Sequence, residues 1–233
     1  MGLWPAQWKG KSYTLNSNHE MYGGANGYFD IALGRNGGAT PFTSQQGFSY
    51  FALSIGDVAV VGLDSAYYDP SSLYMDGGLG DPKNAPEQYE FLQAVAKDHK
   101  QLVLLSHHTA VNTAGTEAMP LWRDVTSVVS PKQIHSWVWG HVHLGLAYGQ
   151  QSAIGKHEVK GYCAGHSAIP IGQAWGYQPG DGVIDWISQT PVGGNNYPNR
   201  VRNGFAMLTI DNGVPSVALY DSGNTSPAWP PKP

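Results

Sequence analysis

The chain has 233 residues, with 13 Lys+Arg against 17 Asp+Glu and a formal net charge of −4, so no basic excess exists to follow a phosphate backbone, and a nucleic-acid-binding patch is excluded. Hydrophobic residues make up 41%, and 8 Trp with 13 Tyr can fill a core, which argues against general disorder despite 30 Gly and 16 Pro. The single cysteine, Cys163, rules out an intrachain disulfide, and no run reaches the roughly 18 apolar residues needed to cross a bilayer, so the chain reads as soluble, without a membrane partner and cytoplasmic by default.

Residues 1–226 read as a single domain of short strands and long loops, followed by a Pro-rich extended tail over 227–233. Tyr13-Thr14-Leu15 predicts a strand. Tyr50 to Ile55 and Val58 to Leu63 flank Gly56-Asp57 and predict a hairpin. Asn84-Ala85-Pro86-Glu87 predicts a helix start capped by Asn84, with Phe91, Leu92, Val95 and Ala96 at helical spacing and an end near Lys100. The apolar run Leu102 to Leu105 predicts a strand buried on both faces, delivering Ser106-His107-His108 at its end. A second helix is expected over Leu121 to Val129, and a strand over Trp137 to Trp139 delivers Gly140-His141-Val142-His143. Leu144 to Tyr148 and Glu158 to Ala164 read as further strands. Phe205 to Ile210 and Val214 to Tyr220 predict a hairpin turned by Asn212-Gly213. The segment from Gly165 to Arg202, rich in Gly, Pro and Trp, reads as an insertion that walls or covers a site.

Three polar clusters follow apolar runs: Asn18-His19-Glu20, His107-His108 and His141-Val142-His143. In open α/β sheets the carboxyl ends of strands form the ligand crevice, so clusters at such ends converge. Imidazoles meeting an amide oxygen without thiolate suit Zn, Mn or Fe. His99, His135 and His157 read as solvated side chains, with His99 compensating a helix C-terminus. Cys163, within Gly161-Tyr162-Cys163-Ala164-Gly165, reads as buried.

Asn18-His19-Glu20, Leu105-Ser106-His107-His108 and Gly140-His141-Val142-His143 resemble, in order, the third, fourth and fifth motifs of calcineurin-like metallophosphoesterases, and the likeness spans about Tyr13 to about Tyr220. Met21-Tyr22-Gly23-Gly24 and Val61-Gly62-Leu63-Asp64-Ser65 also resemble bacterial members. The resemblance implies an α/β fold, a β-sandwich flanked by helices. It also implies metal-dependent hydrolysis of a phosphomonoester or phosphodiester, on a small molecule or a phosphoprotein. Asn18, His107 and His141 would bind one ion and His143 another. His19 would serve the leaving group, held by Glu20, and His108 and His166 would line the substrate pocket.

The family's Asp-x-His and Gly-Asp-x-x-Asp motifs are absent from Met1 to Ser17, and Ser17 stands where the family usually has Gly. The chain therefore resembles the C-terminal two-thirds of such an enzyme, lacking its N-terminal strands. Fewer than two ions are expected where the family holds two, and an exposed sheet edge would favour a homo-oligomer. The alternatives are an impaired scaffold with at most one weak metal site and, lower, a metal-independent serine hydrolase built on Ser106 or Ser167.

Overall fold

The computed structural model describes residues 4–167, 177–192 and 200–231. It is a mixed α/β fold. Among the described residues, nine strands form two sheets: β1 (Phe51–Ile55), β2 (Val58–Leu63), β3 (Gln101–Ser106), β4 (Ile134–Trp139), β5 (Gly145–Tyr148), β6 (Lys160–Ala164), β7 (Ile184–Ile187), β8 (Gly204–Asp211) and β9 (Val214–Asp221). Three α-helices accompany them: α1 (Asn18–Tyr22), α2 (Glu87–Asp98) and α3 (Pro120–Thr126). The larger sheet has seven strands in the order β1-β2-β3-β4-β6-β5-β7, and β8 pairs with β9 separately.

The pairings β2–β3, β3–β4 and β4–β6 are parallel. Parallel neighbours need a crossover, supplied by α2 between β2 and β3 and by α3 between β3 and β4. The alternate residues of β2 explain the layering. Ala59, Val61 and Leu63 pack with Leu92 of α2 and Leu121 and Val125 of α3. Val58 and Val60 face the opposite way, with Val103, against Leu208 and Ile210 of β8. A strand covered on both faces must be apolar at every position, and β2 is. Gly62 is small for a local reason: the Phe51 ring on β1 fills its side-chain space, where a Cβ would stand 2.3 Å from Phe51 Cε1.

Both hairpins form where the sequence predicts them, and Asn212 (φ 49°) with Gly213 (φ 77°) turns β8 into β9 in the left-handed conformation these residues tolerate. Trp137 and Trp139 are buried in the core, as is Cys163, whose thiol burial pushes up to about 12.

Several expectations change. Tyr13-Thr14-Leu15 is not a strand, because the buried Gln45 side chain replaces a partner strand: its amide accepts from Thr14 N at 2.6 Å and donates to Thr14 O at 3.1 Å. Asn84 does not cap α2; its amide donates to Asp81, and the helix starts after Pro86. α3 stops at Thr126, where the Ser127 hydroxyl binds the Asp124 carbonyl at 2.6 Å. The insertion contains β7, which pairs antiparallel with β5; its residues 168–176 and 193–199 lie outside the described residues. The described part of the tail, residues 227–231, is docked: Trp229 N donates to Leu219 O at 3.1 Å, and the Trp229 side chain joins the cluster of Tyr162 and Leu219.

Candidate metal centre

β3 and β4 are parallel neighbours with Ser106 paired to Trp139, so the residues after them leave the sheet side by side. Gly140 N donates to the His107 carbonyl at 3.1 Å, tying the two strand-end loops together. His141 follows with φ at 59°, a left-handed conformation that a side-chain-bearing residue adopts at a cost and that is concentrated at functional sites.

Asn18 arrives from the opposite side as the first residue of α1. Ser17 caps that helix: its hydroxyl accepts from His19 N at 3.2 Å and donates to the Glu20 carboxylate, closing a Ser-x-x-Glu capping arrangement. Ser17 sits at φ −134°, so no glycine is required there. Glu20, expected to hold His19, spends Oε2 on this cap.

Asn18 Oδ1 lies 2.8 Å from His107 Nε2, which lies 3.1 Å from His141 Nδ1. Two ligand atoms on an ion with bonds of roughly 2.1 Å stand about 3.0 Å apart at octahedral angles and about 3.4 Å apart at tetrahedral ones. Hydrogen bonds hold this triplet either with one proton on His107 Nε2 shared by two acceptors or with the Asn18 amide turned and a proton on His141 Nδ1. One cation satisfies all three. Burial, reinforced by neighbouring imidazoles, pushes His107 down to about 2 and His141 to about 4, so both rings are neutral donors at physiological pH.

His107, His108 and His141 form the one group of three or more ligand-type residues that could hold an ion among the described residues, their ligand atoms all within 4.8 Å. His108 enters it unexpectedly. It is 1% exposed, its Nε2–H donates to the Tyr74 carbonyl at 2.8 Å, and its Nδ1 meets the Ser65 hydroxyl at 3.0 Å. Asp69 Oδ2 stands 3.6 Å from Nε2. Gly77 (φ 74°) packs directly on this ring, where a Cβ would lie 2.4 Å from His108 Cβ. The expected substrate-pocket role for His108 is thus corrected: both nitrogens are used inside the protein, and the ring braces its neighbours. Ser65 and Asp69 were missed from sequence. The Asp64-Ser65 pair at the end of β2 was a signal for Ser65, while Asp69 reaches the ring through a loop.

His143 lies outside the trio, its ring centroid 6.5 Å from that of the exposed His19. His166 is elsewhere in the fold and fully buried, with Nε2 3.6 Å from Asp221 Oδ1 and the backbones of Gly145 and Gly204 against its ring. Its expected place in a substrate pocket is corrected by that enclosure. Ser106 donates to the His108 carbonyl at 2.7 Å and accepts from Trp137 Nε1 at 2.8 Å, while Ser167 donates to the Ala164 carbonyl at 2.7 Å. Neither hydroxyl meets an imidazole in these bonds. Ser65, His108 and Asp69 have the residue types of a catalytic triad, but all three are buried and His108 Nε2 is taken by Tyr74.

No family model matches the chain, and no curated protein matches it in sequence. Thirteen chains of solved structures match its fold. One is GAP50, the anchor in the inner membrane complex of Plasmodium, with a TM-score of 0.50 and 8% identity over 77% of this chain and 51% of that chain. At that identity the likeness concerns fold alone. The chain spans about half the length of that structure. No helix among the described residues is long and apolar enough to cross a membrane.

Proposed function

We propose that the chain has a metallophosphoesterase-type fold and hydrolyses phosphoesters at a single divalent transition ion, Mn, Fe or Zn, held by Asn18, His107 and His141. The observation that carries this reading is the meeting of Asn18 Oδ1, His107 Nε2 and His141 Nδ1, from motifs far apart in sequence, at ion-ligand spacing. Such an ion would supply Lewis acidity toward the phosphoryl oxygen and lower the pKa of a water.

The residues of the chain do the rest. His108 fixes the floor through Ser65 and Tyr74, and the Gly140–His107 backbone bond keeps the two ligand loops in register. His19 is exposed on α1 beside Asn18, where its imidazole can give a proton to a departing alkoxide. His143, with its ring stacked near His19, lines the same side.

The test combines metal analysis with turnover of a nitrophenyl phosphodiester. About one Mn or Zn per chain is expected, with slow hydrolysis that His141→Ala abolishes. His19→Ala should keep the metal and lose roughly a hundredfold in rate on an alkyl leaving group, less on nitrophenolate, which needs little protonation. Activity without metal that survives His141→Ala would sink the reading, and metal binding without any turnover would favour a scaffold.

A further inference from the structure

We infer that this site, if it works on phosphoesters as proposed above, selects a phosphodiester monoanion with an aryl or alkyl arm and no further negative charge. The first observation is what the site lacks. The segments that build it, 12–34, 64–82, 101–122 and 133–155, contain no lysine or arginine. Arg35, next to the first of them, is spent elsewhere: its guanidinium lies 4.2 Å from the Phe29 ring centroid and Nε donates to the Gly47 carbonyl at 3.1 Å. Sites for multiply charged phosphates rely on Arg or Lys for bidentate contacts and for steering. The charged side chains of these segments are acidic instead: Glu20 on α1 is exposed, Asp76 in the loop over His108 is half-buried, and Asp69 is buried against His108. Among the described residues, the hydrogen-bond and ring partners of Asn18, His107, His108 and His141 include no lysine or arginine that would hold a second anionic group.

The second observation is what borders the ligands. The Asn18 amide, whose oxygen faces His107, donates through Nδ2 to Tyr22 Oη at 2.8 Å and lies 3.8 Å from Met75 Sδ. Tyr22 is 55% exposed and Met75 46%, and the Tyr22 ring meets His19 edge-on with centroids 5.5 Å apart. Leu73, in the same loop as Met75, is 62% exposed. Isolated exposed apolar side chains are ordinary. A tyrosine and a methionine touching a candidate ligand, beside the proposed proton donor, form an apolar rim where an ester arm would lie. Methionine adapts well to aryl and alkyl groups.

Calorimetric titration of the Mn-loaded chain tests this without turnover, using three diesters with the same phosphoryl group. Diphenyl phosphate should bind about tenfold or more tightly than dimethyl phosphate, from burial of its rings. Bis(4-carboxyphenyl) phosphate, of similar shape with two added charges, should bind no better than dimethyl phosphate. Met75→Ser should weaken diphenyl phosphate several-fold and dimethyl phosphate far less. Equal binding of the three diesters, or preference for the dicarboxylate, would overturn the proposal and leave the metal site standing. Failure of the chain to bind Mn, or diester binding indifferent to Mn, would show that the phosphoester reading itself is wrong, and the proposal would fall with it.

Discussion

His108 and His166 look alike by burial and by partner. Each is at most 1% exposed and each has Nε2 3.6 Å from the oxygen of a buried aspartate, Asp69 in one case and Asp221 in the other. Their surroundings differ. His108 sits at the end of a central parallel strand, spends both nitrogens on Ser65 and Tyr74, and has two more imidazoles within 5 Å, centroid to centroid. His166 lies against the backbones of Gly145 and Gly204, and neither nitrogen has a hydrogen-bond partner among the described residues. At 3.6 Å its attraction to Asp221 is electrostatic rather than a hydrogen bond. A buried histidine beside an aspartate is therefore not enough to define a site; convergence of strand ends is what distinguishes the first from the second.

That contrast breaks most clearly under substitution. His141→Ala should lower metal affinity by more than about a hundredfold, beyond the usual loss of an outer hydrogen-bonding partner, with little change in Tm. His166→Ala should do the reverse, costing about 2–4 kcal/mol from a cavity and a buried carboxylate left without its partner, at unchanged metal affinity. Calorimetry and metal titration on both variants check the crossing; a metal defect in His166→Ala would erase the distinction.

A smaller effect sharpens the structural side. Burial pushes Asp221 up, but His166 and the hydroxyls of Ser188 and Thr190 outweigh it and hold the carboxyl below its usual range. A carboxylate with a lower pKa folded than unfolded contributes stability that is present above the unfolded value and lost as pH falls through the folded one. Acid unfolding below about pH 4 should therefore contain a component from Asp221 that Asp221→Asn removes, as read by circular dichroism against pH. Were the variant to keep the full acid dependence, the clasp would contribute nothing.

The smallest effect lies between the two histidines. Cys163 ends 3.5 Å from the Gly140 carbonyl and 3.3 Å from that of Val142, beneath the loop carrying His141. With the thiol pushed up to about 12, an aromatic disulfide reagent at pH 8 should modify it only after denaturant is added. Fast labelling of the native chain would mean that this loop opens.

What could be read from sequence follows how local each cause is. Asn212-Gly213 specifies its turn with two residues, and Leu102 to Leu105 declares a doubly covered strand by its composition, so both were legible. Ser17-x-x-Glu20 carried a helix-capping signal that the metal-motif reading obscured. That His107 rather than the adjacent His108 turns toward Asn18 was legible only through the family resemblance; its physical cause was not, because His108 is held away by Tyr74, Asp69 and Gly77, from a loop some thirty residues earlier. β7 has only four residues, and its pairing with β5 comes from a strand far away along the chain.

The left-handed backbone of His141 sets the proposed ligand role and stability against each other at one position. Glycine enters that conformation freely, whereas a residue with a Cβ pays roughly 1–2 kcal/mol. His141→Gly should therefore fold about 1 kcal/mol more stably than His141→Ala, and it need not be weaker than the parent. Selection or engineering for heat resistance alone would drift toward glycine here and silence the site, so retention of histidine through such a screen would itself report that the imidazole is used.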